Sequence, residues 1–127
     1  GAVQTLNRIT QAFPAEYQER IKMQLSMVLE GILSQVLLER VDKKGRVLAL
    51  EILIPNYSIR NLIRENKFHQ IPSAMRVGQE LTGMVTMNQS LFDLVARRLI
   101  SLENAVEVSP EPEELYKLLA GLERKTG

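Results

Sequence analysis

The stretch GILSQVLLERVDKKGRVLALEILIP, residues 31–55, decides the fold. On either side of it apolar residues recur at helical spacing; within it they alternate or run together in β-branched and leucine-rich segments. ILSQVLLERV (32–41) and RVLALEILI (46–54) flank DKKG, a turn of the hairpin kind, so the reading is one β-hairpin. In the second run Leu48, Leu50, Ile52 and Ile54 share one face, and Val47, Ala49 and Leu53 the other. Only Glu51 breaks the second face, which predicts a strand covered on both sides. An isolated two-stranded ribbon is marginal in water, so strands this apolar require more sheet than the chain supplies.

Upstream, VQTLNRITQAFP places Val3, Leu6, Ile9 and Phe13 at helical spacing with no N-cap before them, and so reads as a helix cut from something longer. Pro14 opens a second helix with Tyr17, Ile21, Leu25 and Val28 on one face and Gly31 as its stop. Downstream, short helices follow. Pro72 opens one carrying Ala74, Met75 and Leu81. Thr86 and Gln89 form a capping box ahead of Leu91, Leu94 and Val95. Ser101 caps a helix with Leu102, Ala105 and Val106, and Ser109 with Pro110 starts a last one along Leu115, Leu118, Leu119 and Leu122. The fold class is α/β, mostly helical, with one hairpin followed by a bundle of short helices.

The 127 residues are the size of one ordinary domain, and 45% hydrophobic with 24% charged residues is a globular composition. Sixteen basic residues against fifteen acidic ones argue against a surface built throughout for nucleic acid. The absence of cysteine excludes a disulfide framework, a thiolate metal site and a cysteine nucleophile, and fits a cytoplasmic protein. No apolar stretch approaches the ~20 residues of a membrane span, because Glu51 interrupts the longest.

The chemistry-bearing residues are sparse. No G-x-x-x-x-G-K-[ST] is present to cradle a triphosphate. His69 is the only histidine and has no second histidine or cysteine with which to share a metal. Ser26, Ser34, Ser73 and Ser90 lack an elbow motif. Glu51 reads as a carboxylate met by an arginine across the sheet, or placed at its margin. No catalytic, cofactor-binding or metal residue is assigned, and the chain alone should not hydrolyse ATP.

NYSIRNLIRENKFHQ, residues 56–70, reads as a helix with Ile59, Leu62 and Ile63 on one face. Arg60, Arg64 and Lys67 form a second stripe and Asn61 and Glu65 a third. Like charges at i and i+4 cost an isolated helix a few tenths of a kcal/mol, so a basic stripe on so short an element asks for a partner.

Within it, SIRNLIRE (58–65) closely resembles the AIRNLIRE motif of the type IV pilus retraction, or twitching-motility, ATPases of the secretion ATPase superfamily; only Ser58 departs from it. AVQTLNRI (2–9), RIKMQLSMVLEGILSQVLL (20–38), GRVLALEIL (45–53), HQIPSAM (69–75), GMVTMNQSL (83–91) and PEELYKLL (112–119) resemble the same family in the same order. The resemblance implies the C-terminal part of a hexameric RecA-like motor, residues 1–55 closing its core and 56–127 forming a helical region. The family's P-loop, acidic boxes and histidine box would lie upstream of Gly1, so ATP and Mg belong to the parent protein. It also implies that Ile59, Leu62 and Ile63 anchor the motif helix. Ser58 opens it, and Arg60, Asn61, Arg64 and Glu65 meet a neighbouring subunit of the ring or the pilus machinery at the inner membrane. The isolated chain is expected to self-associate through its unpaired strands. The alternative is a stand-alone helical module binding protein or, through Arg60, Arg64, Lys67 and Arg76, nucleic acid.

Overall fold

A computed structural model describes the backbone of residues 1–126, and their side chains except at 80, 81 and 123–126. Helices α1 (Ala2–Gln11) and α2 (Ala15–Val28) precede strands β1 (Ile32–Glu39) and β2 (Arg46–Leu53). Then come α3 (Tyr57–Arg64), a 3-10 turn at Phe68–Gln70, α4 (Ile71–Thr82), α5 (Met87–Ala96), α6 (Leu102–Val108) and α7 (Pro112–Thr126). The hairpin and the short helices after it are the predicted mostly helical α/β arrangement. The chain forms two compact units, one of residues 1–34 and 51–85, the other of residues 35–50 and those from 86 onward.

The hairpin turn is closed by Arg40 N–H donating to Gly45 O at 3.0 Å and Lys43 N–H to Arg40 O at 3.1 Å. Lys43 (φ 62°) and Gly45 (φ 116°) take left-handed backbone, which the glycine accepts without a Cβ penalty. Asp42 stiffens the turn: it accepts from Lys44 N–H and from two Arg40 nitrogens, at 3.0 and 2.7 Å. Bonding to the Arg40 guanidinium holds its carboxyl below the usual range.

In the first unit Ala2, Leu6, Leu53, Ile59, Ile63, Phe68, Ile71, Met75 and Met84 build one core. Two helix faces differ from those read in the sequence. α1 turns Ala2, Leu6 and Thr10 inward and leaves Ile9 and Phe13 exposed. α2 buries Lys22 and Ser26, while Tyr17 and Val28 stay exposed. Thr10 satisfies its hydroxyl on Leu6 O at 2.9 Å and Lys22 its ammonium on Glu19 at 3.1 Å, so neither is a bare polar group in the core.

Among the described residues no flanking side chain caps α1; Glu51 of β2, itself buried, accepts from the Ala2 backbone N–H. The partner expected across the sheet for this carboxylate is thus, in part, a helix N-terminus. Gly31 does not stop α2, which ends three residues earlier; a Cβ at Gly31 would meet Leu53 O at 3.3 Å, so the glycine allows the chain to approach β2. Val85 adds a bridge to Ile52, with N–H to O distances of 2.8 and 3.0 Å.

Only one face of the hairpin is covered among the described residues. Ala49, Glu51 and Leu53 of β2 are buried, whereas Leu48 of β2 and Leu33 and Leu37 of β1 are exposed. The expectation of a strand covered on both sides fails here, because burial alternates along each strand and leaves one face outward.

The second unit packs Leu38, Ala49, Met87, Leu91, Leu94, Ile100, Ala105 and Leu115. Thr86 caps α5 by accepting from Gln89 N–H at 3.1 Å, although the Gln89 side chain donates to Asp93 rather than completing the box. Ser101 caps α6 through Asn104 N–H. α7 starts at Pro112 instead of Pro110, because Ser109 and Glu111 are held in a side-chain network around Asn88.

Candidate protein-binding helix

α3 is set at both ends. Asn56 Oδ1 accepts from Ile59 N–H at 2.9 Å, an N-cap the sequence reading passed over although Asn before an apolar periodic run is its signal. At the other end Asn66 adopts φ 61°. Asn66 N–H donates to Ile63 O at 3.2 Å and Lys67 N–H to Leu62 O at 2.8 Å, the paired bonds of a Schellman cap. The helix therefore stops at Arg64, and residues 56–70 are not one helix.

The apolar side matches expectation. Ile59 and Ile63 have no exposed surface, and Leu62 packs half-buried against the same core. The basic stripe is divided. Arg60 Nη1 donates to the backbone carbonyl of Ser26 in α2 at 3.0 Å. Arg64 is exposed and its Nη1 donates to Asn61 Oδ1 at 2.9 Å, one turn back. Lys67, beyond the helix end, pairs with Glu65 at 3.1 Å. Arg76, placed with these by the nucleic-acid alternative, bonds Ser73 Oγ at 3.0 Å in α4.

What faces outward is Ser58, Arg64 and Glu65, with Asn61 half-buried between them and Tyr57, outside the motif, 80% exposed at the first position. Tyr57, Asn61 and Arg64 recur at i, i+4 and i+7 and line one side of the helix. Asn61 spends its carbonyl oxygen holding the Arg64 guanidinium, which keeps most of its fork free for a planar acceptor. An aromatic beside a pre-oriented arginine is the composition of a protein-binding hot spot. His69, in the 3-10 turn, is exposed, and no group of three or more potential metal ligands occurs among the described residues. No helix among those residues is long and apolar enough to cross a membrane.

No protein-family model matches the chain. Over 105 residues it is 49% identical to the twitching motility protein of Neisseria gonorrhoeae, covering 83% of this chain and 28% of that relative. Over 113 residues it is 44% identical to the type IV pilus retraction ATPase PilT of Pseudomonas aeruginosa, covering 89% and 32%. The chain is a homologue of a segment of the twitching-motility ATPases. It spans about a third of their length. The crystal structure of the pilus retraction motor PilT with bound ADP matches with a TM-score of 0.77 and 48% identity, over 91% of this chain and 31% of that one. The ATPase DotB of Legionella pneumophila, at 20% identity, shares the fold with a TM-score of 0.62 over 83% of this chain.

Proposed function

We propose that this chain is the C-terminal segment of a hexameric type IV pilus retraction motor and couples ATP-driven subunit movement to pilus disassembly. The observation that carries this reading is the SIRNLIRE helix, buried through Ile59 and Ile63 while Asn61 holds Arg64 outward, in a chain 44% identical to PilT of Pseudomonas aeruginosa. ATP and Mg would bind and react in the remainder of the parent protein, whose core residues 1–55 would close. Residues 56–127 would carry the output surface. Ser58, Asn61, Arg64 and Glu65 would meet a neighbouring subunit or the pilus machinery, at the cytoplasmic face of the inner membrane. Leu33, Leu37 and Leu48 would lie against the parent's remaining structure and would make the isolated chain self-associate.

The test is Arg64→Ala in the parent protein. Removing an exposed side chain bonded only within its own helix should alter stability by less than about 0.5 kcal/mol. ATP hydrolysis should persist while twitching on a surface stops. Normal twitching by cells carrying the variant, or loss of its fold, would refute the assignment.

A further inference from the structure

Arg60 lies in the motif but points elsewhere. α2 ends at Val28, and Leu29 after it is extended (φ −65°, ψ 123°), so no left-handed residue folds back over the last turn. Leu29 N–H reaches Leu25 O at 3.0 Å, and the Ser26 carbonyl receives Arg60 Nη1 at 3.0 Å. Ser26 is fully buried and Arg60 half-buried, so this charge-assisted bond is shielded from solvent. The guanidinium also meets the negative end of the α2 dipole. The Ser26 hydroxyl turns back to Met23 O at 2.6 Å, leaving the carbonyl to Arg60.

We propose that Arg60 is a positioning residue that ties the last turn of α2 to α3, so that the outward face bearing Asn61 and Arg64 is aimed through α2 as well as by its apolar anchors. The strut itself is independent of the proposed function; its bearing on retraction rests on that reading.

Hydrogen exchange followed by mass spectrometry on the whole parent protein tests it. In Arg60→Ala, amides of residues 26–30 should exchange roughly tenfold faster or more, the loss expected for one hydrogen bond to a charged group. Arg60→Lys, which keeps the charge without the planar fork, should recover part of the protection. Arg64→Ala should leave these amides unchanged. Unaltered exchange at 26–30 in Arg60→Ala would overturn the proposal. If that variant does not fold, Arg60→Lys decides: acceleration concentrated at 26–30 supports the tie, and acceleration spread evenly over the first unit overturns it. Failed retraction with unaltered α2 exchange would put Arg60 on the partner surface, sinking the strut and sparing the functional reading. Faster exchange in Arg60→Ala beside normal twitching in Arg64→Ala would do the reverse.

Discussion

Ile63→Ala is expected to destabilise the protein by roughly 2–5 kcal/mol. Ile63 has no exposed surface and sits in the same core as Leu6, Leu53, Ile59 and Met75. α3 has only eight residues, too short to hold its shape without that packing. Its caps at Asn56 and Asn66 fix where it begins and ends, but they do not hold it down. The core it leaves also holds residues of α1, β2 and α4 with their own anchors, which limits collapse. Urea unfolding should show a lower midpoint at unchanged slope. A loss under about 1 kcal/mol would mean that α3 is held by something other than its apolar face. The contrast with Arg64→Ala matters for the motif: on the proposed function both should abolish retraction by the parent protein, one by unseating the helix and the other by blunting its outer surface.

The second large effect lies in the other unit. Asn88 is 2% exposed, and its amide nitrogen donates to Glu111 O at 2.8 Å and to the Glu114 carboxylate, while its carbonyl oxygen accepts from Ser109 Oγ. One side chain thus holds the start of α5 to the entry of α7. Asn88→Ala removes all three bonds, one of them charge-assisted, and should cost about 3 kcal/mol. Asn88→Asp should be no better at neutral pH, because it discards the donor and sets a second carboxylate against Glu114. Equilibrium denaturation of the two variants checks this; an Asn88→Asp protein as stable as the wild type would mean that the network is not what positions α7.

Features written in local sequence were legible, and those supplied from a distance were not. Thr86 and Ser101 cap the helices they precede because the whole signal lies within three residues. The hairpin declared itself by its change of period, and Ile59 and Ile63 by their spacing. The inward faces of α1 and α2 were misread because Thr10, Lys22 and Ser26 are polar residues whose burial is made tolerable by hydrogen bonds or ion pairs that composition does not reveal. The stop of α3 was missed because Asn66 takes a left-handed conformation inside an otherwise helical-looking run. The Asn88 network could not be read at all, since its partners lie 21–26 residues away. Division of the basic stripe follows the same rule: Arg60 is claimed by a carbonyl 34 residues upstream.

The Glu51 carboxylate on the first N–H of α1 has a consequence for the order in which the chain assembles. That bond closes a separation of 49 residues. The buried residues that share the core with Leu6 outside its own helix lie at Leu53 and beyond, with Leu25, Leu29 and Ile32 packed half-buried against them. A helix of this length gains little by itself before those neighbours exist. α1 should therefore condense late, after the hairpin has formed and brought Glu51 and Leu53 into position. In a kinetic analysis Leu6→Ala would speed unfolding and leave the folding rate nearly untouched, whereas a large slowing of folding would place α1 in the nucleus.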